Sequence, residues 1–594
     1  MWAKSLQFLS VICAALSDTN NIIENQSCEA PSKDCSYDSK YRTSDGSCNN
    51  LQHPYWGSKE TPYERLVAYN YGDDIHALPK AKSGKPLPNA RLISQSVFRD
   101  KHVEDNKRTL AHMSFGAVIA HDQSLAAGTS HISSGKKCCV DGKLGEDSSN
   151  SDKCAPIMIE DEDEVYAPAG IECLDFERSG TDKDKGCHSD GQPFRKLNTV
   201  TSFLDLSVVY GSSDEQAESL RTFTGGRLKV NCYHGDDFLP QVDNVKKICP
   251  AVRSQEELCF KAGDDRVNQN PQLSSFHVLL LREHNRVADI LSKLNPDWCD
   301  DQVYNEARRI TISEYQHIIY KEYLPLLLGI DTMKKLHLLP AEKGGCVNDY
   351  DPTVNPTMID EHTHAAFKVF HSAVSGHLKL VSPKREVLGE ARLSDWFNRP
   401  ESLAFNSTLN YDTLCTGLAT QTEEKVDQYF DKEVTNFLFR LPHETLGTDL
   451  RALDIQRSRD HGIGTYNQMR EHCNLAVPKS FDELSSATGI SEENVEILKS
   501  LYEDVDDLDL AVAGTLEPHV SGTNAGATYI CIIGENFKRA RKGDRFYYES
   551  CAEGKFTTDQ LKEIRKSSVS RLFCDNVETI TEMQLKGFEP VGPE

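Results

Sequence analysis

The sequence lacks the features that would direct a protein to a membrane or to nucleic acid. After the first 17 residues, no apolar stretch approaches the roughly 20 residues that a transmembrane helix requires. Positive charge is scarce, because 66 Lys and Arg residues face 91 Asp and Glu residues, for a net charge of −25. Nucleic acid and anionic membrane surfaces repel such a chain, so we expect neither as a partner.

Internal repeats and Gly/Ser-rich or Pro-rich linkers are also missing from the 594 residues. Two stretches, 18–105 and 133–198, are polar, rich in turn-forming residues and poor in periodic patterns. We therefore expect an irregular N-terminal arm over 18–105 that packs on the core. The remainder, 106–594, should form one large domain.

The first residues have the pattern of a secretion signal. Lys4 supplies a positive charge, residues 6–16 are apolar, and Ala15-Leu16-Ser17 offers a small-x-small cleavage site. A buried N-terminal helix is the alternative interpretation. We predict a signal over residues 1–17 and a secreted, extracellular protein, which the sequons at Asn25 and Asn406 suit as glycosylation sites.

The 19 cysteines are dispersed and lack the CxxC pairs of zinc sites. This pattern favours disulfides in an oxidising compartment. With Cys13 inside the signal, 18 of the 19 cysteines remain, an even number. Sequence alone leaves the connectivity open, and our preferred pairs are Cys249–Cys259, Cys473–Cys531 and Cys551–Cys574.

Helical periodicity dominates the rest of the chain. Residues 304–328 continue an amphipathic pattern up to Gly329, and residues 110–120 are apolar enough for a buried helix. Few segments alternate as strands do, so we predict a mainly α fold with little β structure. The clearest helical spacing belongs to Phe276, Leu279, Leu280, Val287, Ile290, Leu291 and Leu294.

Three histidine-bearing segments are candidates for chemistry. The first closes an apolar helix with His121 and Asp122, where a histidine is more often a helix-terminal residue than a catalytic one. The second places His371 in an apolar stretch, where a lone histidine is usually a core residue. The third, residues 452–462, packs acidic, basic and imidazole groups beside an apolar start, which is unusual for a surface helix.

Together these segments resemble the animal haem peroxidase family, which includes myeloperoxidase and the peroxidasins. The resemblance runs from about Tyr41 to Asp575. Its most specific blocks are LLLREHNR at 279–286, QRSRDHG at 456–462, YRT at 41–43 with CNN at 48–50, and KGDRF at 542–546. Their shared order identifies the chain as similar to an invertebrate-type, secreted member. It implies the fold of that family, with haem buried between core helices.

The resemblance assigns roles around the haem. His121 would be the distal histidine, which moves a proton between the two peroxide oxygens. Arg266 would be the distal arginine that stabilises developing negative charge. His371 would be the proximal iron ligand and Asp454, where the family usually has asparagine, its hydrogen-bond partner. Arg457 would also contact the haem.

Spacing alone does not distinguish His371 from His364 and His377, which lie in the same stretch. The match of Ala366-Phe367-Lys368 to the family motif makes the choice. By the same resemblance, residues 201–207 would form a calcium loop. Its ligands would be Asp122, Thr201, Phe203 (through its carbonyl), Asp205 and Ser207, and oxygen donors of this kind suit Ca²⁺. Without the resemblance, residues 201–207 would pass as a strand.

Four positions depart from the family pattern. Ala117 replaces a glutamine that helps to hold halide, and Ala120 and Gln269 replace the carboxylates that esterify haem in mammalian members. Phe370 stands where glycine is typical. These departures predict noncovalently bound haem b and weak oxidation of halides.

The resemblance implies an enzyme that uses hydrogen peroxide to oxidise organic, phenolic or small inorganic donors through a high-valent iron intermediate. One alternative is a catalytically weak extracellular haem-binding or cell-adhesion protein of the peroxinectin kind, since Lys542-Gly543-Asp544 superficially looks like an integrin-type triplet. A matrix-crosslinking peroxidase is another.

Overall fold

The computed structural model describes residues 35, 40–128, 138–150, 152–341, 343–405, 410–551 and 554–591. Its content of 41 % helix and 11 % strand confirms the predicted mainly α fold. The strands form only two-stranded antiparallel pairs among the described residues. The predicted signal over 1–17 and the sequons at Asn25 and Asn406 lie outside these residues.

The α-helices, labelled α1 to α21 in chain order, are Ala90–Val97, Leu110–Gln123, Ser207–Tyr210, Asp214–Leu220, Val245–Ile248, Pro271–Leu294, Asp300–Ile318, Leu324–Leu328, Ile330–Lys335, Asp360–His364, Glu401–Phe405, Tyr411–Thr420, Lys432–Thr435, Leu450–Asp460, Tyr466–His472, Phe481–Thr488, Glu492–Leu501, Leu510–Leu516, Ala527–Lys542, Thr558–Ile564 and Val569–Asn576. The strands, β1 to β12, are Thr61–Pro62, Glu104–Thr109, Cys139–Val140, Lys143–Leu144, Ile157–Met158, Cys173–Leu174, Leu197–Asn198, Asn231–Tyr233, Asp236–Phe238, His377–Val381, Val387–Arg392 and Thr422–Glu424.

Helix α2 lies at the centre of the core, which its sequence explains. It is apolar on all sides rather than on one stripe, as expected for a helix that other elements surround. The ring of Phe115 packs at 5.6 Å from Phe276 of α6 and at 5.6 Å from Tyr315 of α7. These contacts place the C-terminal end of α2, with His121, deep in the molecule.

The three helical patterns in the sequence are confirmed. Helix α6 covers the periodic apolar residues, and α2 covers the apolar run at 110–120. Helix α7 continues through a π-helical turn, Ile319–Tyr323, into α8, which ends at Gly329. The sequence analysis missed α1, whose Asn89 cap accepts hydrogen bonds from two backbone N–H groups.

The N-terminal stretch packs on the rest of the chain through buried ion pairs. Arg42 donates to Asp544 at 2.8 Å, although 502 residues separate them. Arg91 of α1 pairs with Asp163 and with Asp449, which also caps the N-terminus of α14. Arg42 is thus held by both oxygens of one carboxylate and Arg91 by two carboxylates, and this pairing is what buried charges require.

Two of the three predicted disulfides, Cys249–Cys259 and Cys473–Cys531, are present. The third prediction was wrong, because Cys551 pairs with Cys346. Val347 bridges to Ser550 in a parallel β-bridge, which brings these two cysteines together across 205 residues. Four described cysteines are thiols: Cys232, Cys299, Cys415 and Cys574. The remaining described disulfides are Cys35–Cys48, Cys138–Cys154 and Cys139–Cys173.

None of the helices in the described ranges combines the length and the apolar character that a membrane span needs.

Candidate active site

A deep cavity of about 1420 Å³, including its opening to solvent, lies between α2, α6, α10 and α14. It brings together five of the predicted site residues, which are far apart in sequence: His121, Arg266, His371, Asp454 and Arg457. Its walls are largely apolar, and they include Phe367, Phe370, Leu393, Phe397 and Leu438.

Arg266 is held rigidly near the end of α2. Its guanidinium makes a bidentate pair with Asp264, with Nε–Oδ1 at 2.9 Å and Nη2–Oδ2 at 2.6 Å. Nη2 also donates to the backbone carbonyl of His121 at 3.0 Å. Burial would raise the pKa of Asp264, but the charge and hydrogen bonds of Arg266 outweigh it and hold that pKa below its ordinary value. The arginine is therefore fixed beside His121.

His371 ends a 3₁₀ helix, Ala366–His371, and its side chain is 15 % exposed, toward the cavity. Its Nδ1 lies 2.7 Å from Oδ2 of the buried Asp454 on α14. Burial lowers the pKa of His371, and the carboxylate of Asp454 opposes this. Burial would raise the pKa of Asp454, but the imidazole and nearby cations hold it low. With Nδ1 donating to a carboxylate, the lone pair of His371 is on Nε2.

Two cations near this histidine–carboxylate pair, Arg451 and Lys368, lower the pKa of Asp454. Arg451, fully buried, has Nη1 at 3.9 Å from Oδ2 of Asp454. It also donates to the carbonyl of Ala511 and to the Thr515 hydroxyl. Lys368 lines the cavity, and burial lowers its pKa while Asp454 raises it.

Of the three histidines that spacing left equivalent, the structure excludes only His377, because His364 and His371 both line the cavity with a carboxylate on Nδ1. His377 is exposed on β10 and does not line the cavity. His364 does line it, but its Nδ1 is bonded to Asp360 at 2.6 Å, and His461 Nδ1 is bonded to the same oxygen at 2.8 Å. In the described part of the chain, only this group of three has metal-ligand spacing. Arg65 donates to the second oxygen of Asp360, so hydrogen bonds already satisfy the carboxylate.

The departures from the family pattern all line this cavity. They are Ala117 and Ala120 on α2, Gln269 after Arg266, and Phe370 before His371. Among the described residues that line the cavity, Asp454 is the only one with a carboxylate. No aspartate or glutamate other than the partner of His371 therefore faces the space.

The sequence analysis did not single out several polar residues of the cavity. His362 is fully buried, and neither ring nitrogen has a hydrogen-bond partner. Gln123 and Gln272 each leave a buried side-chain oxygen without a partner. No sequence signal marks these residues, because each lies in a segment that otherwise looks like helical core.

Arg457 lies on the cavity wall, and its guanidinium is held by residues that do not line the cavity. Nη1 donates to the Glu177 carbonyl at 2.9 Å and to the Ser179 hydroxyl at 2.9 Å, and it pairs with Asp460 at 3.2 Å. The group also stacks on Phe176, 4.0 Å from the ring centre. It is thus positioned before any ligand arrives.

Four of the five predicted calcium ligands, Asp122, Thr201, Asp205 and Ser207, are linked to one another by hydrogen bonds or charge next to His121. Asp122 and Asp205 are fully buried, and burial together with their mutual repulsion raises the pKa of Asp122 well above its ordinary value. Oδ1 of Asp122 has no hydrogen-bond partner among the described residues. Thr201 donates to Asp205 at 2.8 Å, and the Ser207 hydroxyl donates to the Asp122 carbonyl at 2.7 Å. Residues 201–207 precede and begin α3 rather than forming a strand.

This fold and cavity define a mainly helical protein with a buried histidine–carboxylate pair that faces a deep space lined with cations. Residues 41–588 match the family model described as animal haem peroxidase. The chain belongs to this family. It is a haem peroxidase, which implies a haem cofactor and hydrogen peroxide as a substrate.

Named relatives agree with the family. The chain is 45 % identical to a peroxidase of Drosophila melanogaster, over 95 % of this chain and 82 % of the relative. It is 38 % identical to the chorion peroxidase of the same species, over 93 % and 68 %. Among solved structures, it resembles peroxidase A of Dictyostelium discoideum with a TM-score of 0.76 and 27 % identity, covering 93 % of this chain and 100 % of the other.

Proposed function

We propose that the chain is a secreted peroxidase that oxidises phenolic or other organic donors, with noncovalent haem b and a structural calcium ion. The observation that carries this is the convergence of His121, Arg266 and the His371–Asp454 pair on one cavity. Bound haem would supply the redox-active iron at which hydrogen peroxide is reduced.

The cavity suits a haem. Its apolar walls match a porphyrin, and two cationic side chains, Lys368 and Arg457, match the two carboxylates of haem b. Nε2 of His371 carries the lone pair that an iron ligand needs. Asp454 would orient this imidazole and make it more basic than a neutral partner would.

His121 and Arg266 would handle the proton and the charge. The His121 imidazole would accept a proton from one peroxide oxygen and return it to the other. Arg266 would stabilise the negative charge that develops on the departing oxygen, and Asp264 keeps its guanidinium in place before the reaction begins.

Noncovalent attachment follows from the chemistry of the cavity walls. An ester to haem requires a carboxylate that faces the cofactor, and Ala120 and Gln269 offer none. Asp454 is occupied by His371. Acid-acetone treatment should therefore extract the haem from the loaded protein, and pigment that stays with the denatured chain would contradict the proposal.

The preference for organic donors follows from Ala117. Its methyl group leaves the distal side of the cavity without the amide that would hold a halide. We expect guaiacol turnover well above chloride oxidation, and some gain in bromide oxidation for Ala117→Gln. Chloride oxidation comparable with guaiacol turnover in the wild type would refute this preference.

Calcium would offset the electrostatic repulsion between two buried carboxylates. Asp122 and Asp205 have no described cation within ion-pair distance, and Thr201, Ser207 and the carbonyl of Phe203 supply further oxygens. Because the site adjoins His121, it would fix the end of α2. We expect EGTA to lower the free energy of unfolding, by up to about 4 kcal/mol relative to protein in calcium at 1,000 times its Kd, and equimolar Mg²⁺ not to restore it.

Secretion remains part of the proposal. The disulfides of the structure suit an oxidising compartment, and the similar chorion peroxidase is named for an extracellular layer. Mapping the N-terminus and glycans of protein from the medium of secreting cells tests cleavage after Ser17 and modification of Asn25 and Asn406.

One experiment separates the enzyme from an adhesive, weakly active haem protein. The full chain and His121→Ala are loaded with haem and calcium, and the Soret band and guaiacol turnover are recorded. Loss of turnover with an unchanged Soret band supports the enzyme, whereas haem-loaded wild type without turnover supports adhesion. The structure weakens the integrin-type interpretation, because Asp544 is 1 % exposed and bound to Arg42 and Asn49.

A further inference from the structure

A tyrosine lies directly behind the wall of the large cavity. Among the described residues that line this cavity, none is a tyrosine or a tryptophan. Tyr63 contacts two of the lining residues. Its hydroxyl is hydrogen-bonded at 2.6 Å to the hydroxyl of Ser124, and its ring makes an edge contact with the ring of His364, at 5.2 Å between centroids. Tyr63 is 4 % exposed, so it adjoins the haem site but is shielded from solvent.

Further contacts continue from Tyr63 toward the surface. The ring of His461 lies beside it, with centroids 5.8 Å apart. The ring of Tyr71 covers the next residue, Gly462, since a Cβ at that glycine would lie 2.7 Å from a ring carbon. Tyr71 in turn stacks on Tyr69, with centroids 5.3 Å apart and an angle of 8° between the ring planes. The measured ring separations are those of aromatic groups in direct contact.

Arg65 joins the same two ends by a second set of contacts. It donates to the backbone carbonyls of His461 at 3.1 Å and Gly462 at 2.8 Å. Its guanidinium lies 4.5 Å from the centre of the Tyr69 ring. Tyr69 therefore contacts both Arg65 and Tyr71, and each of these two residues contacts the backbone at or after His461.

Tyr69 is the tyrosine of this set that solvent reaches. It is half-buried, and the neighbouring Ala68 is exposed, whereas Tyr63 and Tyr71 are buried. Burial raises the pKa of Tyr69, and the positive charge of Arg65 only partly opposes this, so its hydroxyl is protonated at neutral pH. Residues in contact thus connect the cavity wall with a phenol at the surface.

We propose that Tyr69 is a second oxidation site, at which phenolic side chains of other proteins are oxidised although they are too large to enter the cavity. The inference rests on the proposed function, because the reduction of peroxide at the haem supplies the oxidising power. A phenol is among the side chains that lose an electron most readily. The contacts through Tyr63 and Tyr71 give that electron a path to the cavity, and the exposure of Tyr69 gives a large donor access to the oxidised ring.

The electrons and protons of this route balance. Hydrogen peroxide takes up two electrons and two protons and becomes two molecules of water. Tyr69 gives one electron toward the cavity and releases its hydroxyl proton to solvent, which leaves a neutral tyrosyl radical. A phenolic donor at the surface then transfers a hydrogen atom, one electron with one proton, to the Tyr69 oxygen and becomes a phenoxyl radical. A second donor repeats the step, so Tyr69 is restored each time.

Freeze-quench electron paramagnetic resonance tests the site directly. The full chain, loaded with haem and calcium, is mixed with hydrogen peroxide in the absence of a donor, and a nitroso spin trap followed by peptide mass spectrometry locates the radical. We expect a trapped tyrosyl radical at Tyr69, its loss in Tyr69→Phe, and its slower appearance in Tyr63→Phe. The matched control is Tyr429→Phe, which should leave the radical unchanged. Tyr429 is also half-buried with a cation, Lys101, at 4.6 Å from its ring, but no aromatic ring of the described chain contacts it.

Turnover of a large donor gives a second readout. The probe is a copolymer of lysine and tyrosine, whose coupling is followed by dityrosine fluorescence, with guaiacol as the small donor. Wild type and Tyr429→Phe should couple the copolymer. Tyr69→Phe should lose this coupling and keep its guaiacol turnover, because Tyr69 does not line the cavity.

The second site is refuted if wild type turns over guaiacol but forms no radical at Tyr69, or if Tyr69→Phe couples the copolymer as the wild type does. Equal losses of copolymer coupling and guaiacol turnover in Tyr69→Phe would also overturn it, because the residue would then act only through the structure. An unchanged rate of radical formation in Tyr63→Phe would overturn the path through Tyr63. A haem-loaded wild type that oxidises neither donor contradicts the proposed function itself, which distinguishes that failure from the others.

Discussion

Replacement of Asp454 by asparagine should raise the reduction potential of the bound haem. The substitution keeps the shape of the side chain and the hydrogen bond to Nδ1 of His371, but it removes the negative charge 2.7 Å from the ring. An anionic partner stabilises the more positive, ferric state of iron through the imidazole. The oxidised form therefore loses more stabilisation than the reduced form.

The size of the shift follows from the hydrogen bond. A bond to a charged acceptor contributes roughly 1.5–3 kcal/mol and one to a neutral acceptor roughly 0.5–1.5 kcal/mol, a difference of about 1–1.5 kcal/mol. At about 59 mV per tenfold change for one electron, this amounts to roughly 40–65 mV. Asp454 is 5 % exposed, so solvent does not screen the effect, whereas Arg451 at 3.9 Å reduces it.

Spectroelectrochemical titration of the ferric/ferrous couple measures this shift. Asp559→Asn is the matched control, because it removes one negative charge at an exposed position on α20 and should shift the potential by less than about 10 mV. Resonance Raman spectra of the ferrous forms give a second readout, since the iron–histidine stretch should fall in Asp454→Asn. A potential in Asp454→Asn equal to or below that of the wild type would refute the reasoning.

Two further predictions concern stability. Burial lowers the pKa of His362 to about 3. Between that pH and the unfolded pKa near 6.5, the unfolded chain binds a proton that the folded chain does not bind. The free energy of unfolding therefore falls as the pH falls through this range. His362→Phe keeps the stacking on Phe367. Between pH 6.5 and pH 5, the free energy of unfolding measured in urea should fall by about 2 kcal/mol less in this variant than in the wild type. The same pH dependence in both proteins would contradict this. Cys346→Ser opens a disulfide that closes a 205-residue loop and should cost up to about 5 kcal/mol, whereas Cys574→Ser, at a thiol, should cost less than about 1 kcal/mol. A larger loss for Cys574→Ser than for Cys346→Ser would contradict the structure and favour the pairing of Cys551 with Cys574.

The parts of the site that local sequence patterns determine could be predicted, whereas the parts that tertiary contacts determine could not. Helix α6 could be predicted because its apolar residues recur at helical spacing, and α2 because its run is apolar throughout; both are local properties. The positions of His121 and Arg266 came from motifs, yet no local pattern shows that Asp264 fixes Arg266 or that the His121 carbonyl accepts its second bond. Such contacts depend on tertiary packing.

The cysteines show the same limit more sharply. Cys249 and Cys259 are ten residues apart, so a short loop suffices to join them. Cys346 meets Cys551 only because two irregular segments run side by side, and neither segment has a periodic pattern that predicts this. Cys574 was the wrong partner for Cys551 although it is nearer in sequence than Cys346; it lies on α21 as a thiol.

The residues that no pattern predicted have buried polar atoms without a hydrogen-bond partner in the described ranges. His362, Gln123 and Gln272 look like ordinary helical residues in sequence, and only their burial without hydrogen bonds distinguishes them. A buried polar atom without a partner costs stability, so its retention at the wall of a cavity indicates a group that fills the cavity. By this criterion the unsatisfied polar atoms of His362, Gln123 and Gln272 indicate that a group with polar atoms, or ordered water, fills the large cavity.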